Sequence, residues 1–121
     1  MSREELYLQD IIEAANAIEK FITNVSEENF VADELLQSAV LYKLTIVGEA
    51  AVRVSTELKN RHPDIKWKQI VGFRNIVVHA YFSVNWKTVW TAATEDVVTL
   101  KQQIQEILQT DFPDFELRAN D

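Results

Sequence analysis

Residues 32–60 read ADELLQSAVLYKLTIVGEAAVRVSTELKN, a long run without proline. Leu35, Leu36, Ala39, Leu41, Leu44, Ile46, Val47, Ala50, Ala51, Val54 and Leu58 recur in it at helical spacing. They make the helix apolar around much of its circumference, so it is either central in a bundle or buried against a second chain. Gly48-Glu49-Ala50-Ala51 places small residues mid-helix, where another segment can approach closely. Glu49 is either a solvated residue or a buried partner for Arg53 or Arg74. A helix of this length and character sets the fold class as all-α.

Outward from it, the chain continues in the same idiom. Ser2-Arg3-Glu4-Glu5 fits a capping box. Leu8, Ile11, Ile12, Ala15, Ile18 and Ile22 then form one face of a first helix ending near Asn24. Residues 25–31 read as a connection, with Ser26 and Asn29 as cap or turn candidates. After the long helix, Arg61-His62-Pro63-Asp64 breaks the pattern: proline disfavours helix at His62, and Asp64 can cap the next helix. His62 is expected to be a loop histidine without a ligand role. A third helix is expected over residues 65–82 and a fourth over 86–110, the latter capped by Asn85. The fourth carries the stripe Val89, Trp90, Ala93, Val97, Leu100, Ile104, Ile107 and Leu108. The expectation is an antiparallel four-helix bundle: one domain over residues 1–110, then an acidic tail, 111–121, that frays or docks through Phe112 and Phe115.

Composition narrows the function classes. A chain of 121 residues with 47% hydrophobic content supports one core. Two glycines and two prolines leave little material for tight turns. There is no cysteine, which excludes disulfides, zinc-thiolate sites and a cysteine nucleophile. The charged N-terminus lacks an apolar leader and no uninterrupted apolar run approaches a membrane span, so a cytoplasmic location is expected. The net charge of −7 argues by itself against nucleic acid. Yet between residues 59 and 87 six cations face one acid, a local +5, leaving −12 elsewhere. That asymmetry is either chance variation or a basic surface on an acidic protein.

Inside the basic segment lies Arg74-Asn75-Ile76-Val77-Val78-His79-Ala80-Tyr81. Arginine grips two phosphate oxygens at once, histidine moves protons near neutral pH, and tyrosine carries a modifiable hydroxyl. Metal-free cleavage of an RNA phosphodiester needs such groups. A base takes the 2′-hydroxyl proton, an acid protonates the 5′-oxygen, and a cation stabilises the phosphorane-like transition state. Asn75 can add a hydrogen bond, and Lys66 and Lys68 are candidates for substrate phosphates. Two histidines and no clustered acids give no support for a metal site.

On a helical wheel at about 100° per residue, Phe73, Ile76, Val77 and Ala80 form the natural core face. Trp67, Val71 and Val78 fall on the other side with Arg74, and Tyr81 returns close to Arg74. Such a mixed face points to a second copy of the chain packing there, with paired Arg/His sets. The other reading is that a helix of the same chain covers it and Arg74 pairs with an acid. Tyr81 is either a packing residue or a regulated one.

The pattern Arg74-Asn75-x-x-x-His79-x-Tyr81, after Gly72-Phe73 and before Val84-Asn85-x-x-x-Val89-Trp90, resembles the HepT toxins of the HEPN superfamily. Ile46-Val47-Gly48-Glu49-Ala50 and Pro63-x-Ile65-x-Trp67-x-x-Ile70 resemble that family too. The likeness runs from Tyr7 to about Leu108. It implies an all-helical HEPN-like fold and a homodimer joined through the motif-bearing helices. It further implies metal-independent endoribonuclease activity on transfer or messenger RNA, without a cofactor. By the same likeness Arg74 and His79 are the catalytic pair, with Asn75 beside them. The partner it implies is an MntA-like nucleotidyltransferase antitoxin of a type VII toxin–antitoxin system, which transfers AMP from ATP onto Tyr81. A bulky anion there would occupy the phosphate site and neutralise Arg74. The competing reading is a non-catalytic HEPN module that binds a nucleotide or a protein partner.

Overall fold

The computed structural model describes residues 4–76 and 85–115. The expected cap at Ser2, the wheel positions Val77, Val78 and Ala80, and the end of the acidic tail lie outside the described residues. Those described are all-α, with no strand among them. Helix α1 (Glu4–Ile22) buries Leu8, Ile11, Ile12, Ala15 and Ile18, the stripe expected of it. It ends before Asn24, whose φ of 62° is the left-handed conformation that asparagine tolerates better than most residues.

The connection expected over 25–31 contains a short helix, α2 (Glu27–Ala32). Ser26 caps it by accepting the Asn29 N–H at 3.1 Å, which places Asn29 inside the helix. Asp33 then caps α3 (Glu34–Arg53), accepting from the Leu36 N–H at 3.0 Å. The helix expected to reach residue 60 stops here. Val54 and Ser55 are extended, and Ser55 restarts the chain as α4 (Thr56–Arg61) by accepting the Leu58 N–H at 3.0 Å. The Ser55 N–H itself donates to Glu4 Oε1 at 2.7 Å, tying the kink to the start of α1.

The expected third helix is also shorter in its described part. Helix α5 (Trp67–Gly72) runs into a 3₁₀ turn, Phe73–Asn75. Lys66 is its N-cap residue and no side chain caps it, so Asp64 does not have the capping role expected of it. The fourth helix matches expectation. Asn85 accepts from the N–H groups of Lys87 and Thr88 at 3.0 and 3.3 Å and opens α6 (Trp86–Thr91). A π-helical turn, Ala92–Asp96, joins α6 to α7 (Val97–Asp111).

Helix α1 packs against α3 and α7, α3 packs against α5 and the 3₁₀ turn, and α2 bridges α3 and α6. Leu8, Ile11, Ile18, Leu44, Leu58, Leu100, Ile104 and Ile107 are essentially fully buried. Each such side chain contributes about 1.5–3 kcal/mol of transfer free energy. Phe30 anchors α2, its ring 6.1 Å from that of Trp86, edge-on, and 5.3 Å from that of Trp90. The buried Gln37 donates from Nε2 to the carbonyls of Phe30 and Val31 at 3.0 and 2.8 Å, satisfying the end of α2. Phe112 and Phe115 pack on the core beyond α7. By length and hydropathy α3 is apolar enough to cross a membrane, but Val40, Leu44, Val47 and Ala51 are buried where it meets α1 and α5. It is the central helix of the bundle.

Candidate functional site

Arg74 and Asn75 lie on the 3₁₀ turn that follows α5. A Cβ built on Gly48 of α3 would fall 2.5 Å from the Arg74 backbone nitrogen, 3.1 Å from its Cβ and 3.2 Å from its Cα. Only a residue without a Cβ lets the two backbones meet this closely. The small residues noted in the sequence therefore serve a specific purpose: α3 seats the Arg74 turn at Gly48. Phe73 is buried on one side of the arginine and Ile76 packs on the core on the other. Between these anchors Arg74 is half-buried and Asn75 exposed. Arg74 has no ion pair among the described residues, and Glu49 is exposed, so the solvated reading of that glutamate is the one borne out.

The face expected to point away from the bundle is covered by the chain's own elements. Trp67 is only 9% exposed, and its indole N–H donates to the His62 carbonyl at 3.0 Å. The Lys59 ammonium lies 5.9 Å from the centre of the same ring, and burial lowers the pKa of that lysine below its ordinary value. Val71 is half-buried against the core. The physical reason is that α3 and the connection from α4 enclose α5 from a side that the wheel left open. Val78, the third residue of that face, lies outside the described residues.

Lys66 and Lys68 are exposed at the start of α5, and Lys87 is exposed at the start of α6. Gln69 Nε2 donates to Asp96 Oδ2 at 3.4 Å, linking α5 to the π turn. His79 and Tyr81 lie outside the described residues. Of the sequence-derived site, the structure thus places Arg74, Asn75, Lys66 and Lys68.

His62 is more than a loop residue. Its Nε2 sits 2.9 Å from Asp111 Oδ2, which also accepts from Arg61 Nη2 at 3.3 Å, while Arg61 Nη1 reaches Glu57 Oε1 at 3.2 Å. Hydrogen bonding from His62, helped by Thr110 and Arg61, outweighs burial and holds the Asp111 carboxyl below its ordinary pKa. This cluster fastens the α4–α5 connection, and so the entry to the Arg74 turn, to the end of α7. Asp111 is about fifty positions from Arg61 and His62, and no local pattern links it to them.

A family model described as Ribonuclease HepT-like matches residues 11–107, a span that includes Gly48, Arg74, Asn75, His79 and Tyr81. The chain belongs to the HepT-like ribonuclease family. Among its HepT-like relatives is a protein of Thermococcus cleftensis named "Probable ribonuclease HepT", 36% identical over 84% of this chain and 92% of that one. A "Putative RNase" of Methanocaldococcus jannaschii is 31% identical over 87% of this chain and 98% of its own length. Another of that description, from Caldanaerobacter subterraneus, is 33% identical over 85% and 92%. No solved structure matches the chain. Both the HepT resemblance and the all-helical fold it implies are borne out.

Proposed function

We propose that this HepT-like chain is an endoribonuclease, the toxin of a toxin–antitoxin pair in the cytoplasm, that cuts RNA without a metal ion. The observation that carries the reading is Arg74, held by its backbone on Gly48 without an acidic partner among the described residues, within the span matched by the HepT-like ribonuclease model. A half-buried guanidinium without a carboxylate partner is suited to a phosphate. In the proposed reaction the 2′-oxygen of RNA attacks the adjacent phosphorus as a base removes its proton. The 5′-oxygen leaves with a proton from an acid. His79 serves the proton transfers, Arg74 stabilises the phosphorane oxygens, and Asn75 donates a further hydrogen bond. The products are a 2′,3′-cyclic phosphate and a 5′-hydroxyl. In a homodimer two Arg74/His79 sets share the work, with Lys66 and Lys68 holding flanking phosphates.

Regulation belongs to the same proposal. An MntA-like nucleotidyltransferase joins the Tyr81 phenolic oxygen to the α-phosphorus of ATP, and pyrophosphate leaves. The adduct's negative charge then occupies the place of the substrate phosphate at Arg74.

Purified protein should cleave transfer or messenger RNA in EDTA, and His79→Ala should keep the helical circular dichroism but lose cleavage. Cleavage that survives in His79→Ala, or that requires a divalent ion, would refute the mechanism. Co-expression with the cognate nucleotidyltransferase should add the mass of adenylyl groups to wild type but not to Tyr81→Phe. The −12 balance outside the basic segment favours a second reading, a non-catalytic nucleotide- or protein-binding module. That module would be harmless on expression, whereas a ribonuclease should be toxic and its toxicity relieved by Arg74→Ala.

A further inference from the structure

The six cations between residues 59 and 87 are not equivalent. Arg61 is matched by two carboxylates, Glu57 at 3.2 Å and Asp111 at 3.3 Å. Lys66, Lys68 and Lys87 are exposed to water. Lys59 differs from all of these. It is half-buried on α4, its ammonium lies 5.9 Å from the centre of the Trp67 ring, and it has no acidic partner among the described residues. Of the other five, only Arg74 combines half-burial with the same lack of a described carboxylate. Stripping water from a cation without supplying a counter-charge is unfavourable, and burial lowers the Lys59 pKa accordingly. An anion resting on the ammonium would offset that loss.

The two half-buried cations are also aligned. Trp67 and Arg74 are seven positions apart, so at about 100° per residue they fall within about 20° of one line along α5 and its 3₁₀ turn. At 1.5 Å per residue that line is about 10 Å long. Lys59 stands by its first residue and Arg74 is its last. Lys66 and Lys68 depart from it by roughly 80° and 120°, on opposite sides. Both ends are fixed by long-range contacts. The Trp67 indole N–H donates to the His62 carbonyl at 3.0 Å, Arg61 and His62 are tied to Asp111, and the Arg74 turn is seated on Gly48.

We propose that Lys59 is a second phosphate site of this chain, which together with Arg74 lays one strand of RNA along the α5 edge. The choice of ligand rests on the ribonuclease reading. The Lys59 ammonium donates to the oxygens of a phosphate a few nucleotides from the one gripped by Arg74. Arg61, two positions from Lys59, adds little, because Glu57 and Asp111 already match its charge.

A 2′-O-methyl RNA strand of mixed sequence is the probe, because its blocked 2′-oxygen cannot attack phosphorus. Bound to wild-type protein, it should protect Lys59 from acetylation by acetic anhydride, read by peptide mass spectrometry. Lys101, paired with Glu19, should react as it does in the free protein. In fluorescence anisotropy, Lys59→Met should weaken binding about threefold to tenfold and lower the slope of log affinity against log salt by about 0.7. Lys59→Arg should restore both, and Arg61→Met should keep the wild-type slope. An unprotected Lys59 in the complex, a Lys59→Met slope equal to wild type, or an Arg61→Met slope lowered as far as that of Lys59→Met would each overturn the site. If protection and slopes follow but wild type cuts no unmodified RNA, the phosphate site stands and the ribonuclease reading falls. If wild type cuts RNA while Lys59 is neither protected nor felt in the slope, the site falls and the ribonuclease reading stands.

Discussion

Replacing Gly48 by alanine would place a methyl carbon 2.5 Å from the Arg74 backbone nitrogen, well inside van der Waals contact. The obstacle is backbone seated on backbone rather than the tip of a flexible side chain, so relief requires the 3₁₀ turn to move away from α3. Two effects oppose each other. Alanine is the better helix former by about 1 kcal/mol, while overpacking at a tight contact costs about 1–3 kcal/mol. Main chain on both sides puts this case near the upper end, for a net destabilisation of about 1–2 kcal/mol. In a domain of this size that lowers Tm by about 3–8 °C. Gly72 is the matched control. It sits in α5 with φ of −62°, and a Cβ there would meet nothing within 4 Å. Gly72→Ala should raise stability by about 0.5–1 kcal/mol. The two glycines of the chain should therefore respond with opposite sign. Thermal and urea unfolding followed by circular dichroism measure both. RNA cleavage adds a second readout, because a shift of about 1 Å in Arg74 can cost up to roughly a hundredfold in rate. A Gly48→Ala protein more stable than wild type would refute the close-approach argument.

Other perturbations test neighbouring parts of the structure. Asp111→Asn weakens the cluster with His62 and Arg61 and should cost about 1–2 kcal/mol at neutral pH. Because the folded carboxyl is held below 3.8, its stabilisation is complete above that value and fades as pH falls through the lowered pKa. The gap between Asp111→Asn and wild type in urea unfolding should thus narrow only below about pH 3.8; a gap that closes near neutrality would contradict the assignment. Asn85→Ala removes the cap of α6 and should cost about 1 kcal/mol, read as a lower urea midpoint at constant slope. Gln37→Leu strips the Val31 carbonyl of its side-chain donor and leaves the Phe30 carbonyl with the Asp33 N–H alone, and should cost about 1–3 kcal/mol, whereas Gln105→Leu, on a half-buried helix position, should cost far less. Arg74→Lys keeps the charge but loses the two-pronged grip on phosphate, and should reduce RNA cleavage by roughly tenfold to a hundredfold with Tm unchanged.

The helices were legible in the sequence wherever one periodic stripe fixed one buried face. Leu8, Ile11, Ile12, Ala15 and Ile18 specify α1 because i, i+3 and i+4 neighbours face the core together. Asn85 and Ser26 were legible as caps because their side chains satisfy N–H groups two or three residues away. The break at Val54 was not legible. Ser55 leaves the helical pattern to cap α4, and its N–H finds Glu4 from the other end of the chain. No window around residue 55 contains that partner.

The site shows the same division, and shows why it was legible only in part. A wheel reports angles among the residues of one helix but not how many of its sides are covered. The wheel puts Phe73 and Ile76 on a core face, where they pack, and Trp67 on the outside, opposite them. In the fold that segment is enclosed twice, by α3 at Gly48 and by the 61–66 connection at His62, so Trp67 is buried as well. The long helix likewise has more than one environment. Val40, Leu44, Val47 and Ala51 settle one arc of α3 within this chain. Leu35, Tyr42 and Val52 remain exposed on another arc. Gly48 stands at the boundary between the two. Side-chain identity could nominate Arg74 as the reactive cation, but only that long-range contact explains how the arginine is held.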